Sequence, residues 1–174
     1  GSGKSLTQGR LLWLDKVDKT VLVKDYGADD AHEVLRGVSV QIDGTAWVAG
    51  VQTKDNKVAG YAARITKTGQ ALWDQTLGGP NQARLFGAAA RTDGTAVLSG
   101  SRSVVEGGKI VGWQGWLVAL AADGKLLWQR TVGAEGERAL TAIAGLDDGS
   151  MWAAGWQQAK GGRNPLVVKI SGEG

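Results

Sequence analysis

The chain has no cysteine, one histidine, one methionine, one phenylalanine and two prolines among 174 residues. Without cysteine there is no disulfide, no thiolate metal site and no cysteine nucleophile. A single histidine excludes a His-rich or Cys/His metal centre. No apolar run approaches the roughly 20 residues that a membrane helix requires. No signal-peptide pattern heads the sequence, and a cleaved one leaves no trace. The formal charge of +3 is not gathered into any dense Lys/Arg run, so neither nucleic acid nor a membrane surface is indicated as a partner. No window carries a sustained helical period with caps. A Gly-x-Ser-x-Gly elbow is missing, and so are paired carboxylates in an acid/base setting.

Glycine and tryptophan are what the chain has in excess, with 28 and 8 residues. Many glycines beside few prolines point to tight turns. The stretches "DGTAWVAG" (43–50), "DGTAVLSG" (93–100) and "DGSMWAAG" (148–155) are near-copies. Seven residues before their turn glycines stand Gly37, Gly87 and Ala142; six residues after stand Gly50, Gly100 and Gly155. A second pair of copies is "AARITKTGQALWDQTLGG" (62–79) and "LVALAADGKLLWQRTVGA" (117–134). The N-terminal "LLWLDKVDKTVLVKDYGA" (11–28) and C-terminal "LVVKISGEG" (166–174) fit the same frame. A period of about 50 residues marks a repeat architecture.

Each unit reads as four short strands, A to D. Strand A is "VLRGVSVQ" (34–41), "LFGAAART" (85–92) or "LTAIAGLD" (140–147). An Asp-Gly hairpin turn leads to B, a loop of variable length to C, and a Thr-Gly or Asp-Gly turn to D. Small residues in A suit a crowded innermost strand, and Trp73 and Trp128 in D suit contacts between blades. Residues 1–8 read as a tail or expression scar. Residues 9–174 read as a single all-β repeat domain, with units of about 9–28, 29–79, 80–134 and 135–174. The expected fold is a β-propeller built of four-stranded antiparallel blades, with thirteen strands. The alternative is a β-trefoil, which also uses three four-stranded units.

The run "WLVALAADGKLLWQRTVGAEG", followed by "DDGSMWAAG", resembles the bacterial seven-bladed β-propeller repeat family, with its Trp-x-x-Thr-x-Gly-Gly and Asp-Gly-Gly signatures. About three and a quarter repeats are covered. The match departs from the family at "LGGPNQ" and "VGAEGE", where the acidic residue after Gly-Gly is missing or displaced. The resemblance implies a propeller in a secreted, periplasmic or envelope protein, and a scaffold more than an activity. About three blades do not close a ring. The expectation is therefore a homodimer that completes the ring, or a further segment of a larger propeller.

Candidate sites come from where the copies differ. The D-to-A connections "YGADDAHE", "LGGPNQAR" and "VGAEGERA" carry His32, Asn81, Arg84, Glu135 and Arg138. The B-to-C segments carry Trp113 and, in the third, Trp156, Lys160 and Arg163. Tryptophan beside arginine, asparagine and glutamine stacks on a sugar or grips a protein partner, unless it packs between blades. Asp43, Asp93 and Asp148 recur in every copy, which suits turn formers more than a single active site. "GSGKS" (1–5) has the residues of a phosphate loop without the preceding strand. "DYGADDAHE" (25–33) lacks the alternating ligands of a calcium loop. His32, with Asp29, Asp30 and Glu33 close by, is the one candidate for enzymatic chemistry. The sequence alone thus favours a non-catalytic module that mediates protein interaction or self-assembly, with no cofactor and no metal. A carbohydrate-binding domain of a secreted or surface protein is the alternative.

Overall fold

The structure, a computed structural model, describes residues 7–14, 16–17, 20–133 and 136–171; "GSGKS" and Glu135 lie outside them. Among the described residues there are thirteen strands and no helix. The first sheet pairs β1 (Gly9–Leu14) with β2 (Thr20–Tyr26). The second is β3 (His32–Val40), β4 (Ala46–Lys54), β5 (Lys57–Ile65) and β6 (Ala71–Leu77). The third is β7 (Ala83–Ala90), β8 (Ala96–Glu106), β9 (Lys109–Leu120) and β10 (Leu126–Val132). The fourth is β11 (Arg138–Gly145), β12 (Met151–Ala159) and β13 (Gly162–Ile170). Every neighbouring pair is antiparallel and consecutive in the chain. These are successive propeller blades forming an arc, not the hairpins of a β-trefoil pooled into one barrel.

The repeated turns share one geometry. Gln41 N–H donates to Thr45 O and Gly44 N–H donates to Gln41 O; the same two bonds recur at Thr66/Gln70, Arg91/Thr95, Ala121/Lys125 and Leu146/Ser150. This is a three-residue hairpin, a type I turn closed by a left-handed residue. Gly44, Gly94 and Gly149 hold that place with φ of 81°, 86° and 79°. The aspartate before each glycine accepts from the backbone N–H and the hydroxyl of Thr45, Thr95 or Ser150 at 2.6–2.9 Å.

A second repeated feature explains the other recurring glycines. Strand A carries a β-bulge between Leu35 and Gly37, Leu85 and Gly87, and Leu140 and Ala142. The bulge pushes a carbonyl over the partner strand at Gly50, Gly100 and Gly155. A methyl group at Gly100 would stand 1.9 Å from Arg84 O, and one at Gly155 1.9 Å from Ala139 O. Gly37 meets the next blade instead, where a methyl group would lie 2.7 Å from Phe86 O.

Blade-on-blade seams hold the core. Trp47, Leu85, Leu98, Trp116 and Leu120 are fully buried between the second and third sheets. Burying each of those leucines contributes about 1.5–3 kcal/mol relative to exposure. Trp47 and Trp73 meet edge to face at 5.2 Å. Trp73 Nε1 donates to Ala122 O across this seam at 2.9 Å. Leu140, Met151, Ala153 and Ile170 pack on Val97, Leu117 and Ala119 between the third and fourth sheets.

The two ends of the arc differ from its interior. Leu12 and Leu14 of β1 stand at the register positions of Val118 and Leu120 in β9, yet they are 56% and 55% exposed where the latter are buried. Trp152 and Val167 repeat Val97 and Leu117, and are 45% and 62% exposed. Among the described residues no blade covers these faces.

Candidate functional site

Strands A and C of each sheet run one way and B and D the other. The A-to-B and C-to-D turns therefore gather on one rim, and the B-to-C and D-to-A connections on the other. The B-to-C segments are not loops, as the sequence suggested. They are continuations of the strands, closed by two residues: Asp55-Asn56, Gly107-Gly108 and Lys160-Gly161. Longer strands keep their backbone groups paired, so the extra residues form a protruding ribbon. Trp113 accordingly lies on β9, opposite Ser103, and Trp156 on β12, opposite Ala139.

On this rim, between the third and fourth sheets, is a cleft of about 180 Å³. Arg84, Trp113, Arg138, Trp156, Arg163 and Glu137 line it. The Arg84 guanidinium lies 4.2 Å from the centre of the Trp113 ring, and that of Arg163 lies 3.8 Å from Trp156. Arg84 on β7 and Trp113 on β9 flank Ser101 and Ser103 of β8, and both serines are buried. Arg138 Nε donates to Gln157 Oε1 at 3.3 Å. Its Nη1 is buried against Gly133, without a hydrogen-bond acceptor among the described residues. Among the described residues guanidinium groups outnumber carboxylates three to one in this lining. Among the described residues, none of the three arginines forms an ion pair.

The structure thus brings together Trp113, Arg84, Arg138 and Trp156, and separates them from Asn81 and His32. Asn81 Nδ2 donates to Ser103 O at 3.1 Å, tying the connection before β7 to strand β8. His32 lies at the seam of the first two sheets, where its Nδ1 accepts from Thr7 N–H at 3.1 Å. Its acidic neighbours face elsewhere. Asp30 pairs with Lys54. Glu33 is fully buried and accepts from Gln52 Nε2 and Ala28 N–H. Among the described residues no carboxylate bonds to His32, and no three His, Cys, Asp or Glu side chains converge as a metal site. Arg163 and Glu137 complete the cleft. Arg163 stood in the sequence near Trp156, but it is the β12–β13 hairpin, with Arg163 opposite Gln158 and Trp156 opposite Pro165, that brings the guanidinium onto the indole.

A larger cleft of about 430 Å³ opens on the opposite rim, lined by Val40, Ile42, Asp43, Arg64, Arg91 and Asp93. Several of its polar groups fasten the seam. Arg64 donates to Gln41 Oε1 and Ala122 O, and Gln41 Nε2 donates to Arg91 O. The aspartates there are the repeated turn residues, so this cleft belongs to the scaffold.

No protein-family profile and no curated protein matches the chain. Among solved structures, two crystal structures of chimeras of apocarotenoid oxygenase (ACO) and RPE65 share the fold, with TM-scores of 0.52 and 0.53 at 12% identity. A Synechocystis apocarotenoid oxygenase variant matches with a TM-score of 0.51 at 11% identity. The alignments cover 94–95% of this chain and 45–46% of those proteins. The chain therefore spans under half the length of the proteins it resembles. Those proteins are propeller-type, and they are oxygenases. That finding corrects two expectations from the sequence, the non-catalytic interaction module and the absence of enzymatic character. The physical reason is one of distance along the chain. A propeller brings rim residues from separate blades together, so its sites leave no compact local motif. At 11–12% identity the likeness carries the fold and not the reaction.

Proposed function

We propose that the chain forms part of the propeller of an enzyme and that it contributes a substrate cleft between the third and fourth sheets. The observation that carries this reading is the pair of Arg–Trp stacks, Arg84 on Trp113 and Arg163 on Trp156, lining one cleft. Aromatic faces and oriented polar groups converging in a concavity are what small-molecule sites are made of. The oxygenases of like fold support the catalytic part of the reading. The exposed faces at Leu12 and Leu14 and at Trp152 and Val167 are covered, in this reading, by further blades. These come from the rest of a longer protein or from a second copy of the chain. The resemblance to the bacterial seven-bladed repeat family makes seven the expected blade number.

The test is a thermal-shift screen of small aromatic and aliphatic compounds against the chain and its Trp113→Val/Trp156→Val variant. The reading predicts stabilising compounds whose effect is lost in the variant. Compounds that stabilise both proteins equally, or a screen without a single stabilising compound, would contradict it.

A further inference from the structure

We propose that the cleft is an anion site, taking the carboxylate or phosphate of a small flat ligand. This deepens the substrate-cleft reading above and rests on it. An arginine stacked on an indole has one face covered and its plane fixed, while its N–H donors remain in that plane. Such a fork matches a carboxylate or phosphate in two-point fashion. Here two of these forks, Arg84 and Arg163, border the same cleft. Arg138 adds a third positive charge, with the buried Nη1 unpartnered among the described residues. Among the described residues Glu137 is the single carboxylate in the lining. The net field favours an anion, and the indoles offer surface to a ring attached to it. At about 180 Å³ the cleft lies below the roughly 300–1,000 Å³ of drug-sized sites. It fits one head group and its ring.

The repeat itself supplies an independent argument. Arg84, opposite Ser101, occupies the register of Val34, opposite Val51. Trp113, opposite Ser103, occupies the register of Val58, opposite Thr53. In the fourth sheet the same places hold Ala139, opposite Trp156, and Arg163, opposite Gln158. The second sheet builds the same backbone with valines, so folding does not require arginine or tryptophan at these positions. The third sheet sets its Arg–Trp pair on strands A and C, at Arg84 and Trp113, and the fourth sets its pair on strands B and C, at Trp156 and Arg163. Two non-equivalent substitutions thus give the same chemistry beside one cleft.

The experiment titrates the chain with 2-naphthoate, its neutral isostere 2-naphthamide and inorganic phosphate, followed by calorimetry and tryptophan fluorescence. Naphthoate is expected to bind about tenfold or more tightly than the amide, with affinity falling as salt rises. Arg84→Gln and Arg163→Gln should each erase most of that preference. Arg84→Val/Trp113→Val, which installs the residues of the second sheet, keeps the fold and serves as the folded control that no longer binds. Phosphate competing with naphthoate would place the head group, and phosphate without competition would restrict the site to carboxylates. Equal binding of naphthoate and naphthamide would overturn the anion proposal and leave the substrate cleft standing. Binding of neither aromatic compound would overturn both.

Discussion

Gly100 lies beneath the carbonyl oxygen of Arg84, so close that a methyl group on it would come within 1.9 Å of that oxygen. The bulge that creates this contact is architectural, and the same residue's guanidinium borders the candidate site. Scaffold and site therefore meet in one residue, the backbone serving the first and the side chain the second.

Gly100→Ala is expected to destabilise the chain by about 1–3 kcal/mol through forced overpacking. Gly112→Ala is the control. That position has no neighbour within 4 Å and no left-handed φ, so its effect should stay within about 0.5 kcal/mol. Denaturant melts of the two variants check the difference.

The ends of the arc make a second contrast. Leu120→Ala, in the buried seam, should cost about 2–5 kcal/mol. Leu14→Ala, at the equivalent place on the uncovered first sheet, should cost within about 1 kcal/mol. Similar losses for both, read from thermal melts of the isolated chain, would mean that the first sheet is covered in solution.

The turn aspartates contribute to the acid limb. Hydrogen bonds from Thr45, Thr95 and Ser150 hold the carboxyls of Asp43, Asp93 and Asp148 below the usual carboxylate value of 3.8. A depressed folded pKa gives stability that is present above the unfolded value and lost as pH falls through the folded one. The melting temperature should therefore drop below about pH 4. The triple Asp→Asn variant at these positions should show a flatter profile between pH 6 and 2.

On the alkaline side both tyrosines act in the same sense. Burial raises the Tyr26 phenol, and burial with the neighbouring Asp74 raises that of Tyr61 far above its usual value. Tyr61 Oη donates to Asp74 Oδ2 at 3.0 Å. A phenol that stays protonated in the fold contributes stability below pH 10 that is lost as pH rises. Phenolate absorbance should appear only together with loss of the β-sheet circular dichroism signal. Tyr61→Phe should weaken this alkaline sensitivity.

Much of the fold could be read from the chain because its signals repeat. Gly44, Gly94 and Gly149 mark turns with a local cause, and strand order follows from antiparallel neighbours joined by short turns. The glycines at 50, 100 and 155 were visible as a pattern. Their cause, a bulge on the opposite strand, is a relation between strands. The site was legible in part. Arg84, Arg138, Trp113 and Trp156 stand out as differences between copies, but Arg163 joins them only through the cross-strand register. Asn81 and His32 share their connections and turn to other tasks, because a side chain's direction depends on backbone alternation that residue type does not reveal. The cleft as a whole leaves no compact local motif, since a propeller assembles rim residues that are far apart in the chain.

The cleft of the arc is tested most directly by the eight indole N–H signals of the chain in a nitrogen-correlated NMR spectrum, followed during titration with 2-naphthoate. Trp113→Phe and Trp156→Phe assign the two signals at the cleft. Movement confined to those two, with Trp47, Trp73 and Trp116 of the buried seam unmoved, is the predicted result. Unmoved Trp113 and Trp156 signals, or movement centred on Trp47 and Trp73 near the opposite rim, would contradict it.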